Sequence, residues 1–226
     1  MYLSGQNPNL ISASIVSIKQ SINKISMTSL DRQTIATIQG RMLPVQNIWH
    51  YSPITANKGK VGQDLETVLG IPHSSDCLDC IDGELKIVPF KKNKKGGIVP
   101  KETIAVTMLN PADLTANDFE TSRCFKKLTR VLIVPYVREN DYIIFLEPVL
   151  MENCVEKYGD IYQTLKTDYD EIRRAFIETG QLTSKMGQLL QNRTKGAGKG
   201  APKTRAFYLK TQFVTKIIPS ITLPAI

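Results

Sequence analysis

The chain is poor in sulfur and histidine and has no long apolar run. Four cysteines are spread over 226 residues and only Cys77 and Cys80 stand close together. That gives no disulfide framework, so a reducing, cytoplasmic setting is expected. The two histidines, His50 and His73, are not at zinc-finger spacing, and no second Cys-x-x-Cys completes a zinc site with Cys77 and Cys80. Neither histidine stands in a recognisable context for activating a serine or cysteine nucleophile. No Gly-x-x-x-x-Gly-Lys-[Ser/Thr] occurs, which excludes a P-loop. No apolar stretch approaches the ~18 residues of a membrane span. Met1 to Asn9 is polar and uncharged, unlike the basic start and apolar segment of an export signal. A soluble, unexported protein with no membrane partner is expected. Acid is the scarcer charge: 21 Asp and Glu against 29 Lys and Arg leave a net charge of +8, which favours a polyanionic partner.

A hydrophobic share of 42% is enough for a sizeable core, and the length fits a single domain over 1–226 with a helical part over 1–45 and a two-lobed cleft. Ile11, Ile15, Ile18, Ile22 and Ile25 recur at spacings of an amphipathic helix. A second helix starts near Ser29 or Leu30, with Ile35, Ile38 and Met42 inward, and ends before Pro44. Val45 to Ala56, around Trp49, reads as an irregular connection. Lys58 to Gly70 is a short helix with Val61, Leu65, Val68 and Leu69 inward and Gly70 as its stop. Ile104 to Leu109, Val131 to Tyr136 and Tyr142 to Leu150 are β-rich, the last two joined as a hairpin through Arg138-Glu139-Asn140-Asp141. Asp160 to Thr179 is a helix, and Ser184 to Gln191 a shorter one. Residues 193–205 hold five basic residues, three glycines and no acid, a flexible linker or a loop whose glycines let Arg and Lys enter a DNA groove. Phe207 to Lys210 then ends a strand that leads into a last helix with Phe213, Val214, Ile217 and Ile218 inward.

The stretch with most chemistry is Asp76-Cys77-Leu78-Asp79-Cys80-Ile81-Asp82-Gly83-Glu84-Leu85-Lys86. Asp82-Gly83 between apolar-containing runs is a type I′ turn signal, which makes residues 78–81 and 84–88 antiparallel strands. In that register Asp79 faces Lys86, and Asp79, Glu84 and Lys86 share one face while Cys80 and Leu85 share the other. Two carboxylates and an ammonium on one face suit a hard divalent cation such as Mg²⁺. With the other β-rich runs this hairpin makes a mixed sheet of about five strands flanked by helices, an α/β (α+β) architecture. Glu66, one turn beyond Gly62, puts a further carboxylate beside a spot with no side chain. Lys91 to Gly97 is a basic turn, and the basic residues of 120–130 stand just ahead of a buried strand as a phosphate-facing edge.

Five elements in order resemble the MutH mismatch-repair nuclease and the type II restriction endonucleases related to it that cut at GATC. They are Lys58-Gly59-x-Val61-Gly62-x-x-Leu65-Glu66 with Leu69-Gly70; Gly83-Glu84-Leu85-Lys86 with Pro89; Glu120-Thr121-Ser122 through Lys127 to Arg130-Val131-Leu132; Arg193-Thr194-Lys195; and Phe207-Tyr208-Leu209-Lys210. The resemblance implies a restriction-endonuclease-like core with an Asp and a Glu-x-Lys as catalytic groups. Glu84 and Lys86 match the Glu-x-Lys, Glu66 a helix glutamate and Lys127 an active-site lysine. The family's aspartate usually lies seven residues before the glutamate, where this chain has Cys77. Asp76, Asp79 and Asp82 therefore compete as metal ligand, and strand parity favours Asp79.

The resemblance further implies that Asp79, Glu84 and Glu66 hold Mg²⁺ and that double-stranded DNA is the substrate. Lys58, Lys60, Arg193, Thr194, Lys195, Gly196, Lys199, Tyr208 and Lys210 would contact it, bound by a monomer or a transient dimer. A restriction enzyme would have a cognate DNA methyltransferase as genetic partner. The rival activity is methyl-directed nicking in mismatch repair, and a rival of another class is a DNA-binding module without catalysis.

Overall fold

Val131, Leu132, Ile133 and Val134 are all sealed from solvent, and a strand buried on both faces has to lie in the middle of a layered structure. The computed structural model, which describes residues 32–72, 77–195 and 204–223, puts them in the central strand of a mixed sheet. The elements run α1 (Ile35–Met42), β1 (Trp49–Tyr51), α2 (Lys60–Leu69), β2 (Glu84–Lys92), β3 (Ile98–Pro100), β4 (Ile104–Met108), α3 (Pro111–Ala116), α4 (Arg123–Leu128), β5 (Arg130–Glu139), β6 (Tyr142–Phe145), β7 (Val149–Glu152), α5 (Val155–Thr179), β8 (Leu190–Lys195), β9 (Thr204–Leu209) and α6 (Thr211–Ile217). The isoleucine stripe of 11–25 lies outside the described residues, as do Asp76, Gly196 and Lys199.

The main sheet has the order β1-β6-β5-β2-β3, and β7 pairs with β5. One edge of β5 carries β7 and then β6, both antiparallel, while β2 runs parallel along the other. Alternation sorts the side chains. Leu85, Leu132 and Val134 join the core formed with Ile35 and Ile38 of α1 and Leu65 of α2. On the opposite face Val88, Phe90, Val131 and Ile133 pack beneath α4, α5, α6 and a second sheet, β4-β9-β8. Glu84 pairs with Val131 and Lys86 with Ile133, so both charged residues share this second face with apolar neighbours.

Turn chemistry explains several boundaries. Gly70 and Gly180 close α2 and α5 in the left-handed conformation, with φ of 69° and 66°. Asn140, with φ of 53°, makes the turn between β5 and β6.

Five expectations are corrected. Residues 78–81 are not a strand, because a type I′ turn needs positive φ at both central residues and neither Asp82 nor Gly83 has it. β2 pairs along Glu84–Phe90 with β5, and Asp82 is drawn away to accept from Ile35 N at 2.7 Å and to pair with Arg130. Ser184 to Gln191 is not a helix. Asp168 of α5 accepts from the backbone N–H groups of Gln188, Leu189 and Leu190 at 2.7, 2.7 and 2.8 Å, which straightens the chain into β8. Arg193, Thr194 and Lys195 belong to that strand and not to a loop, and Trp49 lies in strand β1. The Ile104 run sits in the second sheet beside β9.

Gly83 is required for space. A Cβ there would stand 2.6 Å from Arg130 O and 3.0 Å from Ile35 Cγ1, so β2 and β5 would be pushed apart where the charged residues begin. Gly83→Ala is expected to cost about 1–3 kcal/mol, read as a fall of several degrees in melting temperature. An unchanged melting curve would mean the backbones are not in tight contact there.

Candidate active site

The site grows from one buried carboxylate. Glu84, the first residue of β2, is 0% exposed, and an uncompensated charge in that position would cost several kcal/mol. Two ammoniums meet it on the same oxygen: Lys86 Nζ and Lys127 Nζ donate to Glu84 Oε1 at 2.6 and 2.7 Å. Lys86 gets there by strand alternation, two residues along the same face. Lys127 gets there because α4, capped by Ser122, whose Oγ accepts from Phe125 N at 3.1 Å, ends directly before β5, the strand alongside β2.

Asp79 completes the group by a different route from the expected hairpin. It lies in irregular backbone. Its N–H donates to Glu84 Oε2 at 3.4 Å, and its own Oδ2 accepts from Leu85 N at 3.1 Å. Burial first, and the Glu84 carboxylate second, raise the Asp79 pKa, against the lowering effects of Lys86, the Leu85 amide and Lys127. Asp79 and Glu84 together offer hard oxygen ligands of the kind that suit a divalent cation. Mg²⁺ in particular is commonly held by one or two carboxylates together with substrate phosphates. The pair therefore fits such an ion. Among the described residues no three of His, Cys, Asp and Glu are gathered so as to hold one alone.

Glu66 is partly buried on α2, one turn beyond Gly62, where an added Cβ would stand 3.6 Å from Ile87 Cδ1 of β2. Asp82 is engaged with Ile35 N and Arg130. Lys58 and Lys60 stand at the start of α2, and Lys60 pairs with Asp64 at 2.8 Å. Cys80 is buried and its thiol is pushed up to about 12 by burial and by Asp79, Asp82 and Glu84. It stays protonated at neutral pH, which argues against a thiolate site with Cys77.

Arg193, Lys195 and Tyr208 come from adjacent strands β8 and β9. The Arg193 guanidinium lies 5.3 Å from the Tyr208 ring centroid and donates to Thr103 Oγ1 at 2.8 Å. Lys210 donates to Gly187 O, so it supports the turn into β8. Thr103 and Asp168 went unnoticed in the sequence, since each acts across a long separation, 90 residues for Thr103 with Arg193, and no local spacing betrays it.

Comparison with known proteins gives the same direction. The family described as "DNA mismatch repair enzyme MutH" matches residues 70–158, a stretch that holds Asp79, Glu84, Lys86 and Lys127. The DNA mismatch repair protein MutH of Shewanella woodyi is 33% identical over 186 residues, covering 72% of this chain and 76% of that protein. The type II restriction enzyme Sau3AI of Staphylococcus aureus is 30% identical over 190 residues, 75% of this chain but 38% of that enzyme. Among solved structures, a complex of the restriction endonuclease MvaI with its cognate DNA substrate matches with a TM-score of 0.39 and 14% identity, covering 85% of this chain and 97% of that one. A score of that size sets no residue correspondence.

The raised Asp79 pKa has a consequence for stability. A carboxyl whose folded pKa lies above its unfolded value contributes stability that is present below the unfolded pKa and lost as pH rises through the folded one. Asp79→Asn keeps an oxygen for Leu85 N and removes that loss. The metal-free variant is expected to melt higher than the wild type at neutral pH, with the gap closing towards pH 4, the range of an ordinary aspartate. Calorimetry across that range checks it, and a variant that melts lower at pH 7 would show that the ionised form is the stabilising one.

Proposed function

We propose, from the premise that this chain belongs to the family of DNA endonucleases that includes the DNA mismatch repair enzyme MutH and the type II restriction enzyme Sau3AI, that it is a sequence-specific, Mg²⁺-dependent type II restriction endonuclease acting on double-stranded DNA at GATC-like sites. The observation that carries the hydrolytic reading is the buried Glu84 with Lys86 and Lys127 on one oxygen and Asp79 beside it. Asp79 and Glu84 would hold the metal, with Glu66 as a further carboxylate on the neighbouring helix. Bound Mg²⁺ supplies Lewis-acid polarisation of the phosphate and a water of lowered pKa.

The protein groups have separate tasks. Glu84 and Asp79 fix the position of positive charge at the scissile phosphate. Lys86, whose side chain is 22% exposed, is the more accessible of the two ammoniums and donates to the attacking water and the charge developing on phosphorus. Lys127, 14% exposed, keeps the buried Glu84 neutralised when Lys86 turns to substrate. Arg193, held by Tyr208 and Thr103, is aimed for base contact, arginine against guanine O6 and N7 being the commonest specific pairing. Thr194, Lys195, Lys58 and Lys60, with Gly196 and Lys199, which lie outside the described residues, would meet the backbone and groove. Tyr208 and Lys210 support that strand.

The net charge of +8 suits a polyanionic substrate such as DNA. A second reading, methyl-directed nicking, is favoured by the fuller match to MutH, 76% of its length against 38% of Sau3AI.

Plasmid DNA with and without adenine methylation at GATC, incubated with the protein and Mg²⁺, separates these. Discrete double-strand fragments are expected, with Glu84→Ala and Lys86→Ala slower by about 10²- to 10³-fold. Slow single-strand nicking alone would select the second reading. Equal cleavage by wild type and both variants would remove the site assignment, and no cleavage with any metal would leave a DNA-binding module.

A further inference from the structure

Asp79 differs from its companions in having no regular structure to hold it. Glu84 and Lys86 are on a strand and Lys127 on a helix, whereas residues 77–82 form bends between them. With no strand ladder or helix around it, the main chain at Asp79 has to be held by groups from elsewhere in the fold.

The brace comes from the segment ahead of α1. One terminal nitrogen of Arg32, Nη2, donates to Leu78 O at 2.9 Å and to Cys80 O at 2.5 Å. These are the carbonyls on either side of Asp79, and the nitrogen's two protons suffice for both. Ile81 N donates to Gln33 O at 2.9 Å and Cys80 N to Gly83 O at 2.9 Å, which completes the frame. Through Nη2, Arg32 grips the backbone itself, at the carbonyls that flank Asp79.

We propose that Arg32 is a positioning residue for the metal-binding carboxylate, acting by clamping the main chain on both sides of Asp79. This rests on the reading of Asp79 and Glu84 as metal ligands. A planar guanidinium suits the task because its protons have fixed directions, whereas a lysine ammonium rotates on a flexible stem. Supports of this kind contribute about 10- to 100-fold to metal affinity or activity.

The test is Mn²⁺ titration of the DNA-free full chain, followed by electron paramagnetic resonance, for wild type, Glu84→Ala, Arg32→Ala and Arg32→Lys. Mg²⁺ titration of plasmid cleavage and metal-free DNA affinity are measured on the same proteins. Arg32→Ala is expected to weaken Mn²⁺ about tenfold and to shift the half-saturating Mg²⁺ concentration equally. DNA affinity should be unchanged, and millimolar guanidinium should recover part of the loss. Arg32→Lys should fall between wild type and alanine, and it carries the test if the alanine variant does not fold. If Glu84→Ala weakens Mn²⁺ and neither Arg32 variant does, the clamp is wrong while the site stands. If Glu84→Ala leaves Mn²⁺ affinity intact, the site reading falls and the clamp with it.

Discussion

The structure is arranged around one charge that cannot be left alone. Glu84 is sealed from water at the start of β2, and removing the partners of a buried ion typically costs about 3–5 kcal/mol. Compensation has to come from two directions, because a single strand can deliver only Lys86 to that face. The second ammonium, Lys127, requires α4 to end next to β2, which in turn requires β5 to follow α4 directly and run parallel to β2. Parallel pairing cannot be made by a hairpin, and the connection between β2 and β5 carries β3, β4, α3 and α4. Much of the topology is thus a means of bringing Lys127 to within 2.7 Å of Glu84 Oε1.

The same arrangement stores unfavourable energy where chemistry needs it. Burial first, and the nearby Glu84 carboxylate second, hold the Asp79 proton more tightly than in water, and the surrounding frame keeps it there. Asp82 reaches the start of α1, Gly83 admits the Arg130 backbone, and Arg130 also contacts Glu152 at 3.5 Å. Two carboxylates brought together under burial are a pair whose mutual repulsion a cation between them would relieve. Stability surrendered at Asp79 is recovered in the apolar layers on the two faces of the sheet.

The second sheet fixes the position of Arg193. Asp168 organises the turn into β8 through three backbone amides, and Arg205 ties that strand down by donating to Asn192 Oδ1 at 2.7 Å. Arg193 is left exposed but aligned by Tyr208 and Thr103. Holding a long side chain in one pose removes rotamer entropy before binding, which is otherwise a cost of recognition.

Local order was legible in the residues themselves. The inward positions Ile35, Ile38 and Met42, the stop at Gly70, the β5–β6 turn and the shared face of Glu84 and Lys86 all follow from helix and strand periods or from turn chemistry, which act over a few residues. Local patterns marked Glu66 only as a carboxylate beside Gly62 and Lys127 only as part of a basic stretch, and the family resemblance gave them their expected roles. What only the tertiary structure decided is who meets across distance. Asp82-Gly83 has the composition of a hairpin turn, yet Arg130, 48 residues on, takes the aspartate and the glycine admits a neighbouring strand. Ser184 to Gln191 lost its helix to a carboxylate 20 residues upstream. In each case a buried polar group had to be paired, and the partner was chosen by the packing of layers that sequence spacing does not encode.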